Sequence, residues 1–215
     1  GHNTWGYGMW SNIQATTVMV PTPYNLSARS IVLQLSDLPP GYTLDEDESG
    51  PMELSEDILQ MGVASSYGAM YENMSLLFTG TPGVYSFAIV FRTPQGAQSY
   101  IELLRRNAEA DPEFTPISSP TLGDETIAYR LVLEGNPFIG YIIAFRKGNL
   151  VAGIATVALS GIAKFDTALS FAEIVLAKIN SQIAVGVQAI GHKDKRPRAI
   201  VEAAPAWVSE ELLSA

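Results

Sequence analysis

Carboxylates and arginines in the second half of the chain have the residue types that acid–base chemistry requires. Asp124 and Glu125 come directly before an alternating apolar segment, and Arg130 follows within that segment. A carboxyl group that exchanges a proton beside a guanidinium is one form of catalytic dyad. The alternative is a turn in which Asp124 hydrogen-bonds to the main chain, with Arg130 as a half-exposed strand residue.

Two further arginines end apolar runs that resemble each other. Arg92 closes the sequence VFR and Arg146 closes AFR. If the two runs are equivalent strands, both guanidiniums lie at one edge of the sheet and can hold a carboxylate or phosphate through paired hydrogen bonds. Arg92, Arg130 and Arg146 are therefore the candidate ligand-binding residues. The other interpretation is that they are exposed strand residues with a structural role.

The sequence lacks the residue pairs and cofactor-binding motifs that are common in enzymes. It has two histidines and no cysteine, so thiolate chemistry and disulfide bonds are excluded and no serine–histidine pair is evident. GTPGVY and GNPFIG lack the strand and GK context of a phosphate-binding loop, and there is no dinucleotide fingerprint. We expect no cofactor and a non-catalytic protein.

Acidic residues concentrate between residues 45 and 57, where DEDESG precedes three more carboxylates. Calcium takes several carboxylate oxygens, so a weak cation site is one interpretation. The spacing departs from the D-x-[DN]-x-[DN]-G pattern, and a solvated acidic loop is favoured over a metal site. The formal net charge of −9 also argues against nucleic acid as a partner.

Both ends of the chain carry candidate partner-binding residues. Trp5, Tyr7 and Trp10, together with Tyr24, form an aromatic group that either docks on the body of the protein or forms a protein interface, including one between copies of this chain. The segment HKDKRPR carries Lys193, Lys195, Arg196 and Arg198, which suit an acidic partner or anionic lipid headgroups if they are not simply a solvated tail. The N-terminal GHNTWGYGMW has no signal-peptide pattern, and we expect that a leader or membrane anchor preceded it.

Between these ends the pattern of apolar residues predicts one α+β domain. We expect an aromatic arm over residues 1–30, a domain over 31–191 and a charged tail over 192–215. Alternation at residues 31–35 is typical of a strand, and YTLDEDE predicts an edge strand. Further strands are predicted at 83–93, 126–133, 140–146 and 149–159, the last apolar on both faces and therefore central.

Helices are predicted after two of these strands. Thr93 and Pro94 have the residue types of an N-cap and first helical position, and Asp166 is the expected N-cap of a long helix. A short helix is expected at 53–61 behind Ser55. The strand–helix order at 83–104 and 140–183 suggests two related β-β-α units in an antiparallel sheet covered by helices, with chance similarity as the alternative.

The motifs LGDETIAYR, GYIIAFRKGNLVAGIATVAL and SDLPPGYTL resemble a pattern found in poorly characterised bacterial extracytoplasmic proteins. The layout over residues 30–183 is similar to lipoprotein and sensor-type domains of the Mog1/PsbP-like α+β class. That resemblance implies a binding or assembly module outside the cytoplasm, without a shared catalytic residue set.

Three classes of function follow from the sequence. The first is a non-catalytic extracytoplasmic module that binds a protein partner or a small ligand, in a chain anchored to a membrane through its missing N-terminal segment. The second is a hydrolase-type enzyme with a carboxylate–arginine site. The third is a structural self-assembly subunit that uses the aromatic arm.

Overall fold

The structure, a computed structural model, describes residues 24–132 and 135–193. Within these ranges the chain forms four α-helices and seven β-strands. The strands are β1 (Thr43–Gly50), β2 (Val63–Glu72), β3 (Gly83–Phe91), β4 (Phe114–Pro116), β5 (Glu125–Val132), β6 (Phe138–Lys147) and β7 (Leu150–Leu159). The helices are α1 (Ala28–Ile31), α2 (Glu56–Gln60), α3 (Pro94–Ala110) and α4 (Phe165–Lys193), with 3-10 turns at Leu35–Asp37 and Met74–Leu76.

The strands form one antiparallel sheet in the order β1-β2-β3-β7-β6-β5-β4. Two hairpins, β2–β3 and β6–β7, supply its centre, and they meet where β3 pairs with β7. The predicted fold class, an α+β domain with an antiparallel sheet covered by helices, is confirmed.

Helices cover both faces of the sheet. On one face, Ile89 and Phe91 pack with Ala97 and Ile101 of α3. On the other face, α1 and α4 pack on the alternate side chains of the same strands. In strand β7, Val151 packs on the face covered by α3, and the residues on either side of Val151 pack on the opposite face. The prediction of a central strand covered on both sides is therefore confirmed.

The order of a hairpin followed by a helix occurs twice, as β2–β3–α3 and β6–β7–α4. The two helices nevertheless lie on opposite faces of the sheet. Two antiparallel neighbours such as β3 and β7 are related by a twofold axis perpendicular to the sheet. If that axis also related the two hairpin–helix units, both helices would lie on the same face. The two halves therefore share an element order but not a symmetric packing.

Local signals placed most helix starts correctly. Thr93 is the N-cap of α3, its Oγ1 accepts a hydrogen bond of 3.2 Å from the Gly96 main-chain N–H, and Pro94 takes the first position. Ser55 precedes α2 as expected. Asp166 was expected to be the N-cap of α4, but the helix begins at Phe165 and Asp166 lies in its first turn.

The strand expected at residues 31–35 is absent. Ile31 ends α1, and the chain then runs through Val32 and Leu33 into a 3-10 turn that begins at Leu35. Ile31, Val32 and Leu33 are all fully buried, so the alternation does not separate a buried face from an exposed one. The main-chain N–H of Leu33 donates to Ser86 Oγ at 3.1 Å, which replaces a strand partner.

Each edge of the sheet disfavours the addition of another strand. The edge strand β1 carries DEDE and loses register with β2 between Asp45 and Gly50. At the opposite edge, β4 has three residues and ends in Pro116. Acidic residues, irregular pairing, short length and proline all hinder edge-to-edge association.

Candidate functional site

An open cleft of about 560 Å³ lies at the end of the sheet that contains the β6–β7 turn. One wall is the extended segment 24–27, which precedes α1, and the other is formed by the first residues of β2 and the last of β3. The lining consists of Tyr24, Asn25, Leu26, Ser27, Ala64, Ser65, Val90, Phe91, Arg92 and Asn149.

The wall formed by residues 24–27 is attached to the sheet by Asn149. Its side chain is buried, with Oδ1 accepting from the Tyr24 N–H at 2.7 Å and Nδ2 donating to the Tyr24 carbonyl at 3.2 Å. The same Nδ2 lies 2.6 Å from the Phe91 carbonyl. One carboxamide therefore ties the start of the described chain to both central strands.

The ring of Tyr24 lies directly over Gly148. A Cβ at this glycine would stand 2.5 Å from Tyr24 Cε2, and the main chain has a φ of +58°, in the left-handed region. Glycine is required at this turn both for its conformation and for the close approach of the ring. The KGN hairpin thus forms the support of the cleft wall as well as a turn.

Arg92 supplies the charge of the cleft. It is exposed, and it is the one lining residue that is charged at neutral pH. Its main-chain N–H donates to the Gly62 carbonyl at 2.8 Å, which fixes the start of its side chain beside β2. Among the described residues, no carboxylate lies within ion-pair distance of its guanidinium.

Ser65 lies beside Arg92 in the same wall. Its Oγ accepts a hydrogen bond of 3.3 Å from the Ala28 main-chain N–H, which leaves its hydroxyl proton available for donation. On the facing wall, Asn25 and Ser27 are exposed. The cleft therefore offers hydrogen-bond donors from both sides around one positive charge.

Asp124 and Glu125 lie in a different group, beside the β6–β7 turn. Asp124 Oδ2 accepts from the Gly148 N–H at 2.7 Å, and Oδ1 is 3.3 Å from Lys147 Nζ. Glu125 binds the Arg105 guanidinium of α3, and its Oε2 is 3.6 Å from Arg146 Nε. These contacts fasten α3, the start of β5 and the β6–β7 turn together.

The ionisation of Glu125 fits a structural role. Burial alone would raise the pKa of this carboxyl group, but the hydrogen bond and charge of Arg105, together with the charge of Arg146, outweigh burial and hold the pKa below its usual value. A general acid or base works best with a pKa near the pH of the reaction. Glu125 is instead a permanently charged partner for two guanidiniums at neutral pH.

The three predicted ligand-binding arginines do not come together. Arg92 lies in the cleft beside α1, whereas Arg146 pairs with Glu125 on the face covered by α3. These two residues do share the end of the sheet that contains the β6–β7 turn. Arg130 lies opposite Tyr141 in the register of β5 and β6, about 20 Å along the strand from Asp124.

The enzyme hypothesis requires Asp124, Glu125 and Arg130 to face one pocket. A small depression of about 180 Å³ does adjoin Asp124 and Glu125, but it is lined by residues 120–126 and Arg130 is not part of it. Both carboxylates are already engaged with basic side chains. The geometry therefore offers a network of ion pairs in place of a dyad.

Other predicted residues fall outside this cleft or outside the described part of the chain. Trp5, Tyr7, Trp10, Lys195, Arg196 and Arg198 lie outside the described residues, and Lys193 is described only as the last main-chain position of α4. The acidic stretch lies in β1 and the following loop and α2, and the described residues contain no group of three or more ligands placed to hold a metal ion.

Sequence reasoning missed the contribution of Asn149 and Ser65, and it named Tyr24 only as a member of the aromatic group that docks on the body of the protein or on a partner. Asn149 was placed only at the start of the predicted strand 149–159, and Ser65 belongs to no motif. Their roles arise from contacts between distant parts of the chain, because Tyr24 and Asn149 are separated by 125 positions. The one local signal was the glycine before Asn149, which marks a turn that another segment can approach closely.

Helix α4 contains a stretch, Phe165–Val185, whose length and mean hydropathy of 1.3 would suffice to cross a membrane. In the described structure 28% of its most apolar 18-residue window is buried. Its buried side chains, Ala168, Phe171, Ala172, Val175 and Ile179, belong to the core on this face of the sheet.

Comparison with solved structures finds chains that are similar to this one. The extracellular domain of PknH from Mycobacterium tuberculosis is 12% identical in sequence, with a TM-score of 0.49, over 72% of this chain and 95% of that one. No family model matches the chain, and no curated protein matches it.

Proposed function

We propose that the protein is a non-catalytic binding module that acts outside the cytoplasm and takes a small ligand in the cleft beside Arg92. The observation that carries this proposal is the cleft itself. Its volume of about 560 Å³ falls within the usual range of roughly 300–1,000 Å³ for small-molecule sites. A single cation and several hydrogen-bonding groups converge on it, as they do in sites that orient a ligand.

The support of the cleft favours binding over a fortuitous surface depression. Its floor is made by the central strands, where Val90, Phe91 and Asn149 are all buried. The wall at residues 24–27 is fastened by Asn149 and packs on Gly148. A site built on paired strands holds its ligand-binding groups in fixed positions, which lowers the entropy lost on binding.

The location outside the cytoplasm is proposed from the resemblance of residues 30–183 to bacterial extracytoplasmic proteins. Fractionation of cells that express the native gene tests this part. We expect the protein in the membrane or extracytoplasmic fraction with a processed N-terminus. An unprocessed protein in the cytoplasmic fraction would contradict the proposed location.

Binding in the cleft is tested with a variant that fills it. Ala64 is exposed in the cleft wall, so Ala64→Trp should block the ligand. Ala177→Trp, on the exposed side of α4, is the matched control. A screen of small metabolites by thermal shift and nuclear magnetic resonance should find ligands that bind the native protein and Ala177→Trp but not Ala64→Trp. Equal binding to all three proteins would reject the cleft as the site.

A further inference from the structure

We infer that the ligand of this cleft is an oxyanion, a small oxygen-rich molecule whose carboxylate or phosphate group binds Arg92. The inference rests on the proposed function, since it assigns a chemical class to the ligand of the same cleft. It is carried by the distribution of charge and of hydrogen-bond donors around Arg92.

The charge of the cleft differs from that of the protein as a whole. The chain has a formal net charge of −9, yet the lining contains Arg92 and no carboxylate. The other arginines near this end of the sheet, Arg105 and Arg146, are engaged with Glu125. Arg92 has no such partner among the described residues, so an anionic ligand does not have to displace an internal carboxylate.

The polar groups around Arg92 suit an acceptor of hydrogen bonds. An arginine guanidinium presents paired N–H donors that match the oxygens of a carboxylate or phosphate. The Ser65 hydroxyl oxygen accepts from the Ala28 N–H, and its proton is available to an acceptor on the ligand. Across the cleft, Asn25 and Ser27 are exposed and can bind hydroxyl or ether oxygens on the body of the ligand.

Other classes of ligand fit less well. A cationic ligand would be repelled by Arg92 and would find no carboxylate in the lining. A wholly apolar ligand would cover Arg92 and Ser65 without replacing their hydrogen bonds to water, which costs free energy. The volume of about 560 Å³ admits a molecule of the size of a sugar phosphate or a tricarboxylate.

The test is a titration of the isotope-labelled protein with four probes: inorganic phosphate, citrate, glucose 6-phosphate and neutral glucose. We expect citrate or glucose 6-phosphate to shift the amide signals of residues 25–27, 64–65 and 91–92, and glucose to have no effect. A response to citrate alone assigns a carboxylate, and a response to the phosphates alone assigns a phosphate group. Raising the salt concentration from about 0.05 M to about 0.5 M should weaken the interaction.

Two substitutions of Arg92 then distinguish the contribution of its charge from that of its paired hydrogen-bond donors. Arg92→Gln should weaken binding of the anionic probe by about tenfold or more, as expected for the loss of a charge-assisted hydrogen bond. Arg92→Lys, which keeps the charge but loses the paired donors, should give an intermediate effect. Arg106→Gln, an exposed position on α3, is the control for the change in net charge and should bind as the native protein does.

The outcomes distinguish this inference from the proposed function. A neutral or cationic metabolite that binds the native protein but not Ala64→Trp would overturn the oxyanion inference and leave the binding cleft in place. Failure of all the anionic probes to shift the cleft signals would also overturn the inference. Binding of an anion that survives both Arg92→Gln and Ala64→Trp would overturn the inference and the proposed cleft together.

Discussion

The side chain of Asn149 and the main chain of Tyr24 form two reciprocal hydrogen bonds, 2.7 Å from Tyr24 N to Oδ1 and 3.2 Å from Nδ2 to Tyr24 O. The carboxamide thus donates and accepts hydrogen bonds as a main-chain residue does when two strands pair. Because Nδ2 also donates to the Phe91 carbonyl, the contact joins the cleft wall to its floor. Residues 24–27 are held by this side chain, by the glycine before it, by the packing of Leu26 on the core and by the hydrogen bond from Ala28 to Ser65.

Removal of this carboxamide should loosen the wall and destabilise the fold. Asn149→Ala leaves the Phe91 carbonyl and the Tyr24 N–H without partners, and each lost hydrogen bond at a buried site costs about 1–3 kcal/mol. We expect the free energy of unfolding, measured in urea, to fall by about 2–4 kcal/mol. Asn180→Ala, an exposed position on α4, is the control and should have little effect. Unchanged hydrogen exchange at Tyr24 in Asn149→Ala would refute this role.

The turn before Asn149 should be equally intolerant of a side chain. Gly148→Ala places a Cβ in a left-handed conformation and 2.5 Å from the Tyr24 ring. The conformational cost alone is about 1–2 kcal/mol, and displacement of the ring adds to it. Gly161→Ala is the matched control, since a Cβ there meets no atom within 4 Å. If thermal denaturation gives the two variants the same midpoint, the close packing of Tyr24 on Gly148 is wrong.

The lowered pKa of Glu125 makes stability depend on pH in a defined direction. The folded protein holds this carboxyl group below its ordinary pKa of 4.5, so the unfolded chain binds a proton more readily. The stabilising contribution is present above about pH 4.5 and is lost as the pH falls through the lower folded value. Native protein should therefore lose stability below pH 4.5 more steeply than Glu125→Gln. Parallel curves for the two proteins would show that Arg105 and Arg146 do not favour the ionised form.

Helix α4 is fixed to the segment after α1 by Lys178. Its ammonium donates to the Val32 carbonyl and to Asp37 Oδ2, each at 2.7 Å. Lys178→Met keeps the apolar stem and removes both bonds, and hydrogen bonds of a charged group are worth about 1.5–3 kcal/mol. We expect a loss of about that size in urea denaturation, and almost none for the exposed Lys164→Met. In an Asp37→Asn background the loss should be smaller, and an equal loss would exclude Asp37 as the partner.

The fold could be predicted from the sequence where neighbouring residues alone determine the structure. Strand β3 reads as a run of β-branched and aromatic residues, and Thr93 with Pro94 marks the start of α3 at the observed position. The prediction of a strand at 31–35 was wrong. Three consecutive side chains there are buried between the sheet and α4, whereas a pattern of alternation assumes that every second side chain is exposed.

Much less of the candidate site than of the fold could be predicted from the sequence. Arg92 could be proposed because it ends a strand, but its separation from Arg146 depends on which face each side chain takes. The carboxylates that suggested a dyad, Asp124 and Glu125, form ion pairs with Arg105 and Lys147. The cleft combines residues 24–27, 64–65, 90–92 and 149, and this combination exists only once the sheet has formed.

The pairing of β3 with β7 also has a consequence for how the protein folds. Each hairpin can form from residues close in sequence, but the sheet is complete only when Ser86 meets Ile154 across a long intervening segment. Closing so long a loop costs conformational entropy before any packing compensates for it, and contacts of this kind slow folding. The joining of the two hairpins is therefore expected to slow folding, and the cleft, which spans both, becomes able to bind only after they have joined.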